Sequence, residues 1–299
     1  ALASLETRLR RGVHDHARDR AHPHASLLVD ATLPLLCAPA AKRIRARLVF
    51  TFAQLAGTVD ADHAADERLD RIVECAKAVE LIHAASLLHD DVVDEADMRR
   101  GLPSANARFG NAAAVLAGDH VLATAMQTLS FDPRMMNAAI DVVRQMSASA
   151  VAEIELRGRR AGDVDVDDAT LEDVALGKTA ALFGLCGRLA GWSSSADNDN
   201  DNDDDDDDDD ARRFEAAGVA LGLAFQIADD WHDIDDDRAA GMLTLPVRWD
   251  EIAHGSARER TAQFVRAKVD AARDALAVYP RASVDAMLDA FGGAVAAWL

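Results

Sequence analysis

Two short acidic stretches carry the residues best suited to chemistry. Leu88-His89-Asp90-Asp91-Val92-Val93-Asp94 and Phe225-Gln226-Ile227-Ala228-Asp229-Asp230-Trp231-His232-Asp233 share the spacing Asp-Asp-x-x-Asp. On a helix the first and last carboxylates of each lie i,i+4 on one face, so three carboxylates crowd a single turn. Such a turn repels itself unless cations fill it. Hard carboxylate oxygens favour Mg²⁺ over zinc even with His89 and His232 close by, and substrate phosphates would complete an octahedral shell. One acidic turn alone reads equally well as a solvated surface patch. The second copy weakens that reading, because Leu221, Leu223, Phe225, Ile227 and Ala228 lead an apolar helix straight into it. A third cluster, Lys42, Arg43 and Arg45, offers positive charge for an anion, although alone it would ordinarily be a solvated face.

The elements that must hold these residues are helices. The 299-residue chain is 49% hydrophobic but only 5% aromatic, is rich in Ala and Leu, and shows little strand alternation. These features predict an all-α fold, a single-domain bundle of roughly ten or more helices. Helices are expected near 3–19, 25–37, 40–57, 67–96, 110–130, 133–157, 168–192, 211–235, 256–278 and 281–298, with the seven prolines between them or at their edges. Residues 193–210, three serines followed by a run of Asp and Asn, are expected to form a disordered acidic loop, since like charges repel and no apolar surface can be buried.

The formal charge of −20 excludes a nucleic-acid partner, and eleven of those charges fall in the run 197–210, so the acidity says little about substrate. Three widely spaced cysteines, Cys37, Cys75 and Cys186, suggest neither disulfides nor a zinc site. No stretch is apolar enough to span a membrane, and Glu6, Arg8, Arg10 and Arg11 do not fit a signal peptide. A cytoplasmic location is expected.

Around the first acidic turn the run from Ala78 to Gly101, including Glu80-Leu81-Ile82-His83-Ala84-Ala85-Ser86-Leu87-Leu88-His89-Asp90-Asp91 and Arg99-Arg100-Gly101, resembles the first aspartate-rich region of the trans-isoprenyl diphosphate synthases, the polyprenyl synthetase family. Phe109-Gly110-Asn111 and Ala117-Gly118-Asp119 are similar to bacterial long-chain, octaprenyl-type members. Gly177-Lys178-Thr179-Ala180 and Phe225-Gln226-Ile227-Ala228-Asp229-Asp230 follow in family order.

The resemblance implies an isoprenoid synthase bundle around a central cavity. It implies a prenyltransferase that condenses an allylic diphosphate with isopentenyl diphosphate, head to tail, to give a longer all-trans product. Asp90, Asp91, Asp94, Asp229, Asp230 and Asp233 would be the Mg²⁺ ligands, with three ions per site when substrate is bound. Arg99, Lys178, Thr179 and Gln226 would contact the allylic diphosphate, while Lys42, Arg43, Arg45, His83 and Arg100 would bind isopentenyl diphosphate without metal. A homodimer is implied, and long products would bring it to membranes without a membrane span. Ala85 and Ser86, one turn before Asp90, would leave room for a growing tail; with a helical turn rising about 5.4 Å, the expected product is ~C20 or longer.

The chain departs from the family pattern in two places. Ala40, Ala41 and Ala46 replace two glycines and a proline of the Gly-Gly-Lys-x-x-Arg-Pro motif. The loop 235–246 is short, with Met242 near the place of a family lysine and Arg238 as a candidate substitute. Those departures keep a non-catalytic partner subunit of a prenyl synthase open as an alternative. A class I terpene cyclase-like lyase fits less well, because it needs no second diphosphate site.

Overall fold

The computed structural model describes residues 5–10, 25–38, 41–57, 64–194, 204–253 and 255–295. Helix is the dominant element, as the composition predicts. In chain order the helices are α1 (Ala25–Leu36), α2 (Ile44–Leu55), α3 (Ala64–Val93), α4 (Ala105–Phe109), α5 (Asn111–Thr128), α6 (Pro133–Leu156), α7 (Asp168–Ala175), α8 (Ala181–Ser194), α9 (Asp204–His232), α10 (Ile234–Ala239), α11 (Leu245–Ile252), α12 (Ala257–Ala275) and α13 (Arg281–Val295). A two-residue antiparallel hairpin, β1 (Met98–Arg99) with β2 (Leu102–Pro103), follows α3. A π-helical turn, Leu176–Ala180, joins α7 to α8.

The chain divides into two compact units, Ala1–Phe50 with Thr58–Ala139, and Thr51–Gly57 with Ile140–Leu299. In the first, α3 is the central element. Ile72, Cys75, Ala78, Val79, Ile82 and Ala85 on one side and Leu81, Ala84 and Leu88 on another are all buried, and a helix apolar nearly all round belongs inside. In the second unit α9 lays Phe214, Ala217, Leu221, Ala224 and Ala228 along one stripe. It packs so closely on α8 that a Cβ on Gly187 would stand 2.0 Å from the Phe214 carbonyl oxygen, and one on Gly218 2.3 Å from that of Phe183. Only glycine permits this backbone-to-backbone approach.

Several boundaries differ from the sequence expectation for local reasons. The helix expected from residue 40 starts at Ile44, because Arg43 adopts a left-handed φ of 53°. The one expected to run to 96 stops at Val93, ahead of Glu95 at φ 51° and the hairpin. The continuous helix expected over 168–192 is interrupted by the π turn. Pro34 lies inside α1 rather than at its edge. Short helices α4, α10 and α11 were not legible as periodic segments, being five, six and eight residues long. The expected helix 3–19 is described only over 5–10.

The acidic loop expected at 193–210 is also corrected. α8 continues to Ser194 and α9 already begins at Asp204, while residues 195–203 lie outside the described residues. Negative charge is favourable at a helix N-terminus, and pairs one turn apart offset the repulsion. Asp209 binds Arg212 and Arg213, and the Trp192 indole donates to Asp208 at 3.0 Å.

Candidate active site

Each unit carries one acidic turn, and each turn closes a long buried helix. Asp90 and Asp91 end α3, and the Asp94 amide donates to the Asp90 carbonyl at 2.8 Å, so the i,i+4 spacing persists past the helix end. Asp229 and Asp230 end α9, and the Asp233 amide donates to the Asp229 carbonyl at 3.0 Å. A helix C-terminus carries partial negative charge, so carboxylates there are doubly disfavoured without a cation.

In the first unit the Asp91 carboxylate is buried and takes a two-pronged contact from Arg99, at 2.7 Å from Nε and 2.5 Å from Nη2. The hairpin brings Arg99 back to α3, and Asn106 fixes the turn by donating to the carbonyls of Asp91 and Ala96 at 3.0 and 3.1 Å. Beside this pair, Arg99 and Arg100 join Leu35, Pro103 and Phe109 in lining a cavity between α1 and the hairpin. Ala85 is buried and Ser86 half-buried on α3, the serine hydroxyl donating to the His83 carbonyl at 2.9 Å; neither lines that cavity.

Of the residues expected to bind an anion, Arg43, Arg45, His83 and Arg100 lie near one another. Burial holds His83 well below the usual imidazole range, and Arg45, Arg100, Arg99 and Arg43, all close enough to repel a second positive charge, push it the same way. A neutral imidazole thus sits among four guanidinium groups. Burial and Arg43 also lower Arg100, with Glu80 opposing them. Arg43 is the exception to its predicted role: its side chain turns to the Glu80 carboxylate at 3.4 Å and to the Leu36 carbonyl. Lys42 is exposed just before α2. No signal in the motif spacing could have shown that Glu80, 37 residues from Arg43, belongs to this cluster.

The second unit's turn is organised differently. Lys178 lies on the π turn, whose Gly177 leaves room for Ser149: a Cβ there would stand 1.9 Å from the serine oxygen. Lys178 forms an ion pair with Glu153 of α6. Thr179 donates to the Gln226 side-chain oxygen at 2.5 Å, and the Gln226 amide donates to Asp230 at 2.5 Å. Thr179 therefore acts on the acidic turn through Gln226. Burial raises the Asp230 carboxyl well above the usual carboxylate range; the Gln226 hydrogen bond opposes this, while Asp237, Asp229 and Glu153 add to it. Asp237, on α10, is likewise raised, to about 6, by burial and Asp233, against a hydrogen bond from Thr244. Met242 and Thr244 line a cleft with Glu153, Lys178, Gln226 and Asp230. Arg238, the candidate for the absent lysine, binds Asp235 at 3.1 Å and Asp250 at 2.8 Å instead.

Oxygen donors in excess of positive charge, at a helix end, suit a hard divalent cation. Among the described residues, no three His, Cys, Asp or Glu side chains gather closely enough to hold an ion alone.

Comparison with known proteins agrees with this chemistry. A Nonaprenyl diphosphate synthase of Mycobacterium tuberculosis is 38% identical over 183 residues, 56% of this chain and 50% of the relative. An Octaprenyl diphosphate synthase of Haemophilus influenzae is 34% identical over 210 residues, 66% of this chain and 59% of the relative. The chain thus matches little more than half the length of these curated relatives. The crystal structure of a polyprenyl synthase from Caulobacter crescentus, complexed with calcium and isoprenyl diphosphate, superposes with a TM-score of 0.75 at 25% identity, covering 96% of this chain and 94% of the other. No helix among the described residues is long and apolar enough to cross a membrane. The Polyprenyl synthetase family model matches residues 28–241, and with the aspartate turns, the arginine cluster and the Lys178–Gln226 arrangement in place, the chain belongs to the polyprenyl synthetase family.

Proposed function

We propose that the protein joins an allylic diphosphate to isopentenyl diphosphate and releases an all-trans prenyl diphosphate of ~C20 or longer, since each helical turn of about 5.4 Å left open admits roughly one more isoprene unit. The observation that carries this reading is the charge that each unit gathers beside its acidic turn. The first unit gathers four arginines around a neutral His83; the second gathers Asp229, Asp237 and Glu153 around Asp230, with Lys178 paired to Glu153.

In the reaction the allylic carbon–oxygen bond breaks, pyrophosphate leaves, the double bond of isopentenyl diphosphate attacks the allylic cation, and a proton is then lost. Mg²⁺, three ions per site when substrate is bound, would neutralise the leaving pyrophosphate and orient it. Asp90, Asp91, Asp94, Asp229, Asp230 and Asp233 would supply protein oxygens to it. Arg99 and Lys178 would add fixed positive charge to the leaving group, each released in part from its carboxylate partner. Arg45, Arg100 and Lys42 would hold isopentenyl diphosphate, with His83 neutral so that it can accept as well as donate. Gln226 would keep Asp230 aimed, and the hydroxyl of Thr179 would keep Gln226 aimed. In this reading the protein is a cytoplasmic homodimer.

The experiment is incubation with farnesyl diphosphate and Mg²⁺, with and without labelled isopentenyl diphosphate, followed by mass spectrometry. A labelled chain of ~C20 or longer is expected, and Ala85→Phe, which adds bulk one turn before Asp90, should shorten it. Only C10 or C15 products would overturn the chain-length reading. Hydrocarbon formed without isopentenyl diphosphate would mark a cyclase. No turnover would support a partner subunit, the reading favoured by one observation, that Arg238 is engaged by Asp235 and Asp250 and leaves Met242 in the cleft.

A further inference from the structure

Four arginines repel one another, and two of them hold a backbone conformation that L side chains rarely adopt. Arg43 and Arg100 both stand at φ 53°. Such strain persists only where the surroundings over-determine it. For Arg100 a contact from Nη1 to the Leu35 carbonyl at 3.1 Å contributes. For Arg43 the restraint comes from Glu80.

Glu80 is 4% exposed, and a carboxylate that deeply placed needs partners for its oxygens. One oxygen faces Arg43 Nη1 at 3.4 Å; the other accepts from the Ala46 backbone amide at 3.2 Å. Ala46 is the third residue of α2, so its amide is one of the four at a helix start with no intrahelical acceptor. Glu80 therefore caps α2 from α3, where the negative charge also suits the positive end of the helix. This contact needs an N–H. Ala46 stands where the resembled motif has proline, which has none. A carboxylate bond across two helices thus does in this chain what a stiff ring would do within the segment.

We propose that Glu80 is a positioning residue of the diphosphate site: it fixes the start of α2 and the Arg43 side chain, so that Arg45 and Arg100 stand ready around His83. Asp91 takes up Arg99 and Glu80 takes up Arg43, and the cluster keeps a positive excess suited to a diphosphate. The inference rests on the function proposed above but concerns one site within it.

The test separates the two. Binding of inorganic pyrophosphate to the full-length chain is measured by calorimetry in EDTA, which silences the aspartate turns, alongside KM for isopentenyl and farnesyl diphosphates. Glu80→Ala is expected to weaken pyrophosphate binding and raise KM for isopentenyl diphosphate about tenfold, the scale of losing one charged buried partner, with kcat and the other KM little changed. Glu80→Gln keeps the acceptor for Ala46 and the shape, and should recover part of the loss even if the alanine variant folds poorly. Wild-type binding and KM in Glu80→Gln and Glu80→Ala would overturn the inference, as would equal damage to both KM values. A wild-type chain that binds pyrophosphate in EDTA but does not elongate would overturn the proposed activity, with the role of Glu80 still read from the binding loss. A wild type that binds no pyrophosphate would overturn the inference.

Discussion

The two acidic turns have the same spacing and the same place at a helix end, yet their charge is handled in opposite ways. Asp91 is neutralised within its own unit by Arg99, delivered by a hairpin that begins five residues after α3 ends. Asp230 accepts from a neutral amide, Gln226, and has Asp229, Asp237 and Glu153 adding negative charge around it. Identical motifs therefore do not imply identical electrostatics. In the first turn a buried carboxylate already has a guanidinium of its own unit as partner. In the second, a buried carboxylate stands among further negative charge.

The sharpest way to break this comparison is to neutralise one carboxylate in each turn and read stability and activity together. Asp91→Asn and Asp230→Asn should each lower kcat by on the order of 10²–10³, as loss of a group that stabilises developing charge does. Their effects on stability in EDTA should have opposite signs. Asp91→Asn leaves the Arg99 guanidinium without its anion and should cost about 2 kcal/mol. Asp230→Asn should raise Tm, since it removes a charge the fold disfavours while keeping an oxygen for Gln226. Two losses of similar size in Tm would refute the distinction.

A smaller effect lies in pH. The Asp237 carboxyl titrates near 6 in the folded chain, above the unfolded value of about 3.9. Between those values the folded state binds more protons, so this group makes the protein more stable as pH falls toward 4 and less stable as pH rises through 6. His83 acts the other way: its lowered value makes the fold lose stability as pH drops below about 6.5. The difference in Tm between wild type and Asp237→Asn therefore isolates the carboxylate. In EDTA it should grow from pH 5 to pH 7.5 in favour of the variant, and Mg²⁺ with pyrophosphate should shrink it. A difference that is flat with pH would show that Asp237 is not held in the acidic cluster.

The smallest change is expected from Met242→Lys. It adds a cation to the cleft shared by Glu153, Lys178 and Asp230. The expected results are a modest rise in Tm in EDTA and a KM for the allylic substrate lowered about threefold, the scale of a partly exposed ion pair. A raised KM would mean that the cleft has no room for the longer side chain beside substrate.

The chain's own sequence determined the helical fold and where in it the candidate residues stand. Apolar residues recur at helical spacing along α3 and α9, and the acids follow where those runs end, so local periodicity sufficed to find Asp90 to Asp94 and Asp229 to Asp233. Clustered charge marked Lys42 to Arg45, while Lys178-Thr179 stood out only through the resemblance to the polyprenyl synthetases. What the sequence could not determine was who neutralises whom. Glu153 reaches Lys178 across 25 residues, Glu80 reaches Arg43 across 37 and Thr179 reaches Gln226 across 47, and periodicity carries no information at such separations. The same limit explains Arg238, whose partner Asp250 sits twelve residues on. It explains the acidic run as well: read alone it is self-repelling, but α9 recruits its last residues as a helix start, with Arg212, Arg213 and Trp192 as partners. Charge and spacing are properties of the sequence; protonation, pairing and restraint arise only when packing sets the distance and removes the water.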